Sequence, residues 1–428
     1  MRRGEAEAQT DDYVRDFEAR LDEAEGLARA IDLEVADAIL APIAQIRPAT
    51  YLGKGKVEEI VGLVGGNDIE LVVMDCALSP IQQRNLEKAW NTKVLDRTGL
   101  ILEIFGRRAK TKEGALQVEL AHLNYQRSRL VRSWTHLERQ RGGFGFMGGP
   151  GETQIEADRR QIGERIVRLQ NELKKVQATR RLHRAGRQRV PYRVVALVGY
   201  TNAGKSTLFN RLTRADVQAA DLLFATLDPT LRALRLPHGG KAMLSDTVGF
   251  ISNLPTQLVA AFRATLEEVL EADLILHVRD ISHEDAEAQE HDVDAVLRQL
   301  GINPEVGGRI IEVWNKIDRF TPDERENLRN IAARRPSEHP CFLVSAETGE
   351  GIEALLVAIE QRLAESRTTL NLSIDASDGA GISWLHRNAE VLNKELHEGR
   401  FDMTVRVDET KRDIVVNRFD AVPQPATS

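Results

Sequence analysis

Between Leu116 and Leu137 the apolar residues fall at Leu116, Leu120, Leu123, Leu130, Trp134 and Leu137, in steps of four and three broken where Arg127 takes an apolar slot. The spacing resumes at Ile155, Ile162, Ile166, Leu169, Leu173 and Val176, with Arg159 interrupting. Two heptad segments joined by a short break predict an antiparallel helical hairpin, each arm roughly 30 to 40 Å long at about 1.5 Å per residue. Before the hairpin, helix-like and strand-like stretches alternate, with strand signals at Glu70–Asp75 and near KVLDRTGLILEIF, which reads as a small α/β unit. After it, Val194–Val198 and the runs ending at Asp246, Asn315 and Ser345 read as strands of an α/β domain with a parallel-sheet core. The segment from Pro255 predicts a helix and then a strand. The tail predicts a strand (TTLNLSI), a helix (ISWLHRNAEVLNKEL) and two more strands (FDMTVRVD, DIVVNRF), a small α+β module in which Trp384 and His386 serve packing and surface. The expected divisions are 1–106, 107–190, 191–366 and 367–428.

Charge changes this picture. The chain is formally at −7, yet residues 107 to 189 hold 20 basic and 8 acidic side chains, a local +12. That is the footprint of a segment meeting a polyanion, with a solvated face of a protein-binding hairpin as the other reading. The expected tip, Arg141–Gly151, packs six glycines with Phe144, Phe146 and Met147. Such a loop forms no core of its own; its rings either stack on exposed RNA bases or fold back onto the arms. Two distant cysteines, Cys76 and Cys341, exclude a disulfide framework and favour a reducing compartment. Apolar runs reach only about half of a bilayer span, so a cytoplasmic protein is expected, with peripheral membrane association left open.

The chemistry concentrates in VVALVGYTNAGKST, which places GxxxxGK[ST] between a strand and a helix. Glycines let successive backbone N–H groups face inward as an anion nest; Lys205 counters phosphate charge and the Ser206 hydroxyl ligates Mg²⁺. Asp246 follows Lys205 by 41 residues at a strand end, placed to support the metal, and the Gly249 N–H meets a γ-phosphate. In DLLFATLDPT, either Thr226 or Thr230 completes the metal shell, the FATLDP context favouring Thr226. Lys205, Thr226 and Gly249 are the expected catalytic groups; Ser206, Thr226 and Asp246 the metal ligands. Asp318 accepts from the guanine ring N–H and amine, donors adenine lacks, while Lys316 lies along the base and the Ala346 N–H bonds its carbonyl oxygen. The expected nucleotide-contacting set is Gly199, Tyr200, Thr201, Asn202, Ala203, Gly204, Lys205, Ser206, Thr207, Phe224, Ala225, Thr226, Asp246, Thr247, Val248, Gly249, Asn315, Lys316, Asp318, Ser345, Ala346 and Glu347, around GTP or GDP. The tetrapeptide Gly53–Lys56 either holds a phosphate at a helix N-terminus or is a plain loop and cap.

The ordered set GYTNAGKS, FATLDPT, DTVGF, NKID and SAETG resembles the translation-factor-related P-loop GTPases. TYLGKGKVEEI, VLDRTGLILEIFGRRAKTKEGALQVELAHLNY and RGGFGFMGGPGETQIEADRR extend the resemblance to the HflX family over nearly the whole chain. The resemblance implies a GTPase, expected as a monomer, that docks on the large ribosomal subunit, directs the hairpin tip toward the peptidyl-transferase region and separates stalled or idle ribosomes. It also associates the N-terminal domain with ATP binding and RNA remodelling. Where Ras-like proteins carry a water-orienting Gln after DxxG, this chain has Phe250, so intrinsic turnover is expected to be slow and stimulated by the ribosome. Asn202 resembles the asparagine of potassium-stimulated relatives; the alternative is an ordinary loop hydrogen bond. The competing functional reading is an RNA remodeller or ribosome-assembly factor in which GTP only gates RNA affinity.

Overall fold

The computed structural model describes residues 17–140, 150–187, 192–214, 223–224, 230–252, 266, 268–304, 308–336, 339–365 and 367–423. Helices α1 (Phe17–Arg29) and α2 (Lys54–Gly66) precede a βαβ unit of β1 (Leu71–Met74), α3 (Pro80–Trp90) and β2 (Lys93–Asp96). β1 and β2 pair in parallel, Leu71 opposite Lys93, so the chain must cross over, and α3 makes the crossing. Its start is specified by a capping box between Ser79 and Gln82 with Pro80 in the first turn. Lys54 and Lys56 lie in the first turn of α2, beside Glu58 at 3.8 Å and Glu59 at 2.8 Å on the same helix.

The second expected strand is shorter than its apolar run. Only Lys93–Asp96 pairs as a strand, and the rest is helix α4 (Arg97–Arg108), capped by the Asp96 carboxylate, which accepts from the Gly99 N–H at 2.8 Å. Leu100, Ile101, Ile104 and Phe105 form the buried face of α4, with Leu102 also buried and Glu103, Gly106 and Arg107 exposed, an amphipathic helical pattern.

The hairpin forms from α5 (Lys112–Gln140) and α6 (Pro150–Arg187), 29 and 38 residues. At about 1.5 Å per residue these arms run roughly 43 and 57 Å, longer than the heptads alone indicated. Leu116, Ile166 and Leu169 are buried between the arms and the body, Leu120, Leu123 and Ile162 half-buried, and Arg127 exposed. Arg165 and Glu119 bridge the two helices at 2.7 Å. Pro150 and Gly151, expected in the tip, open α6 instead, where a proline is tolerated. Phe144, Phe146 and Met147 lie outside the described residues.

The central unit runs β3 (Arg193–Val198), α7 (Lys205–Thr213), β4 (Thr230–Arg235), β5 (Lys241–Asp246), β6 (Leu274–Asp280), α8 (Ala286–Gln299), β7 (Ile310–Asn315), α9 (Pro322–Ala333), β8 (Cys341–Leu343) and α10 (Ile352–Glu365). Its sheet order is β4-β5-β3-β6-β7-β8, parallel except for the β4–β5 pair. Every residue of β6 is buried, as a strand covered on both faces requires. Most of the expected helix after Pro255 falls outside the described residues.

The tail departs from its expected elements. β9 (Arg367–Asp375) and α11 (Gly379–Asn388) are followed by β10 (Glu390–His397), β11 (Arg400–Asp408), α12 (Glu409–Phe419) and β12 (Val422–Pro423), with sheet order β10-β11-β9-β12. The run expected as one helix through Leu396 stops at Asn388, where Ala389 turns extended at φ −140°, and its remainder pairs as β10 with β11 across a two-residue turn in which Glu398 and Gly399 have φ 48° and 83°. DIVVNRF, expected as a strand, lies in α12, with Val415 fully buried and Phe419 packed on Trp384 at 5.8 Å. His386 is exposed, as expected. Among the described residues no helix is long and apolar enough to cross a membrane.

One hydrophobic core runs through three of these parts. Leu27 and Ile31, the buried face of α4, and Val118 and Ala121 of α5 pack in the same cluster as Val198, Tyr200, Phe224, Val248, Phe250 and Ile251 of the central unit.

Candidate nucleotide site

β3 delivers the chain into a loop that only glycine permits at its end. Gly204 has φ +89°, and a Cβ there would lie 2.2 Å from Asn315 Nδ2. α7 begins at the next residue, so its N-terminal amides open toward the loop. Lys205, 6% exposed, donates from Nζ to the Tyr200 carbonyl at 2.6 Å. Burial lowers its ammonium pKa to about 8, against the pull of Asp246 and with the push of Lys316. The Ser206 hydroxyl donates to Asp246 Oδ2 at 2.8 Å, and that carboxylate is fully buried at the end of β5. Thr207 is half-buried in the first turn of α7, and Asn202 is exposed with φ +60°.

The segment after β5 lies on this loop. The Phe250 N–H donates to the Gly199 carbonyl at 3.0 Å, and the Thr201 N–H donates to the Phe250 carbonyl at 2.7 Å. Gly249 sits so close that a Cβ would come within 2.8 Å of Thr201 Cγ2 and 3.0 Å of Lys205 Nζ. The Phe250 ring, 2% exposed, belongs to the shared core and offers no polar group. Phe224 also has its ring in that core, edge-on to Phe105 at 4.7 Å, so its side chain serves packing. Ala225 and Thr226 fall outside the described residues, while Thr230 begins β4.

Asn315 gathers the opposite side. Its Nδ2 donates to the Ala203 carbonyl at 2.8 Å and its Oδ1 accepts from the Ala346 N–H at 3.0 Å, tying the β7 and β8 loops to the loop after β3. The amide expected to face the base therefore bonds Asn315 here. Lys316, at φ +67°, reaches Asp280 Oδ2 at 2.7 Å. Asp318 is half-buried, its carbonyl accepting from Arg325 at 3.1 Å. The Ser345 hydroxyl accepts from the Thr348 N–H at 3.0 Å, and Glu347 is exposed.

Thus the ends of β3, β5, β7 and β8 meet at the carboxyl edge of the sheet, where open α/β folds bind ligands. Two further residues of this edge are not among those expected from the sequence. Asp280 ends β6 as Asp246 ends β5, an apolar strand closed by a carboxylate, which is a signal the sequence does carry. Arg211 on α7 donates to the Ala346 carbonyl at 3.0 Å and to the Glu347 carbonyl, contacts no local spacing announces.

Family models match in succession: a GTP-binding GTPase N-terminal region over residues 18–106, a GTP-binding GTPase middle region over 108–187, a 50S ribosome-binding GTPase over 194–316 and an HflX C-terminal domain over 330–427. The GTPase HflX of Magnetococcus marinus is 52% identical over 388 residues, covering 91% of this chain and 87% of that one. The GTPase HflX of Escherichia coli K12 is 44% identical over 389 residues, covering 90% and 89%. A crystal structure of a GTP-binding protein from the archaeon Sulfolobus solfataricus in complex with GDP aligns at 24% identity and TM-score 0.43, over 80% of this chain and 95% of that one.

Proposed function

Because the chain belongs to the HflX family of GTPases and is itself a GTP hydrolase, we propose that its GTP cycle governs docking of the basic hairpin on the large ribosomal subunit, and that docking separates stalled or idle ribosomes. One observation carries the reading: loops tied together by Asn315 around a phosphate-type nest share a folded chain with a long helical arm whose segment carries a charge of +12. The matched model of a 50S ribosome-binding GTPase supports it.

In this proposal the nest and Lys205 hold the phosphates, and the Gly249 N–H meets the γ-phosphate as water attacks and GDP leaves. Ser206 and Asp246 suit Mg²⁺, being hard oxygen donors 2.8 Å apart, with Thr226 as a third donor. When bound, the ion neutralises charge building on the phosphate oxygens. Asp318 reads the guanine edge. The buried Phe250 ring cannot orient water, so unaided turnover is slow, about 10⁻⁴ to 10⁻² per second, until the ribosome supplies the missing group.

Sedimentation of intact ribosomes with the protein and GTP is the direct test. Free subunits should accumulate at the expense of intact particles. An unchanged profile, with steeply salt-dependent binding to large subunits retained, would favour the RNA remodeller or assembly factor instead.

A further inference from the structure

A buried polar cluster joins the N-terminal unit to the segment after Gly249. Ser252, 6% exposed, is held at all three of its polar groups. Its N–H donates to Tyr200 Oη at 2.7 Å, its carbonyl accepts from Arg97 Nη2 at 3.1 Å, and its hydroxyl lies 2.7 Å from the same nitrogen. Glu23 of α1 closes a ring, accepting from Tyr200 Oη at 3.0 Å and from Arg97 Nη2 at 2.5 Å. Asp75, just beyond β1, takes Arg97 Nη1. Burial disfavours the Arg97 charge, but Glu23 and Asp75 outweigh it and hold the guanidinium protonated more firmly than usual.

The preceding residue faces the hairpin. Asp96, 2% exposed, accepts from Tyr125 Oη at 2.6 Å and from Arg129 Nη2 at 2.5 Å, both on α5. It also accepts from the Leu78 N–H at 3.2 Å while capping α4. One peptide, about 3.8 Å between Cα atoms, therefore separates the grip on the Gly249 segment from the grip on the hairpin.

We propose that the Asp96–Arg97 pair couples the segment following Gly249 to the helical hairpin, with Arg97 as the positioning residue for that segment. The coupling rests on the reading of Gly249 as the glycine that meets the γ-phosphate. When the nucleotide state shifts this segment, Ser252 either gives up its carbonyl and hydroxyl contacts to Arg97, which Glu23 and Asp75 keep paired, or carries Arg97 along. Giving up hydrogen bonds of buried groups is the costlier outcome. Arg97 lies in the first turn of α4, whose buried residues make it a stiff lever, so Asp96 and the middle of α5 at Tyr125–Arg129 follow. Over the roughly 16 Å of α5 beyond Arg129, a tilt of about 5° displaces the described end of the helix by about 1.4 Å.

Hydrogen–deuterium exchange of the full chain, with GDP and then with a non-hydrolysable GTP analogue, tests this. In the wild type the change of nucleotide should alter exchange both around residues 249–252 and around Tyr125–Arg129. Arg97→Met should keep the first response and cut the second at least threefold. Because that variant removes the buried Arg97 cation from Glu23 and Asp75 and can fail to fold, Ser252→Ala, which removes only a hydroxyl, should show the same loss more weakly. An α5 response equal to wild type in a folded variant overturns the coupling, as does an α5 that ignores the nucleotide in the wild type. Silence at residues 249–252 in the wild type overturns the γ-phosphate reading itself, and the coupling with it.

Discussion

Asp318 carries the choice of base in this account, because its carboxylate matches two donors that guanine presents and adenine lacks. Asp318→Asn should weaken GTP by at least tenfold and admit xanthosine triphosphate, read by competition binding; retained guanine preference would reassign the base contact. His277, mid-strand in β6 and 3% exposed, supplies a pH prediction. Burial lowers its pKa from 6.5 to about 4, against the pull of Glu312 opposite it on β7. Between those values the unfolded chain binds a proton that the folded chain refuses. Stability present above pH 6.5 is therefore lost on acidification, by about 1.4 kcal/mol per unit. His277→Gln should lose about 2 kcal/mol less than wild type between pH 7 and pH 5 in denaturant titrations; equal losses would place the acid sensitivity elsewhere. Lys205, Asp246 and Asn315 could be picked out from the sequence because each closes an apolar strand or loop at a set spacing. Arg97 and Ser252 could not, since their partnership spans 155 positions and leaves no local pattern.

The elements that misled did so for identifiable reasons. The α4 run does carry a helical pattern, with Leu100, Ile101, Ile104 and Phe105 buried and Glu103 and Arg107 exposed, but it follows β2 without a break, and its apolar stretch LILEIF reads as a continuation of the strand. α12 carries β-branched residues that read as a strand, yet packing of Val415 beneath the C-terminal sheet overrides that propensity. The hairpin was the most legible element, since heptad spacing survives local interruptions such as Arg127. Its exposed cations make the element-scale prediction. Neutralising Arg168, Lys174 and Lys175 to Gln should flatten the salt dependence of large-subunit binding, by about 0.7 to 0.9 in log–log slope for each phosphate no longer neutralised. An unchanged slope would turn this face into a solvated or protein-binding one.

Across the whole molecule, the continuous core matters most. α1, α4 and α5 bury the same cluster as Phe224, Phe250 and Ile251, so the two segments flanking the phosphate nest rest on the part of the chain that bears the hairpin. Sequence patterning read the parts in order but not this union, because a core shared across more than 200 residues has no periodic signature. On the proposed reading, a GTPase built this way would link its nucleotide state to its arm, and the missing polar group at Phe250 would leave room for a docked particle to set the rate. GTP turnover measured with and without purified large subunits tests that most directly. The rate should rise from about 10⁻⁴ to 10⁻² per second by at least a hundredfold at saturating subunits; the same slow rate in both samples would contradict a ribosome-governed cycle.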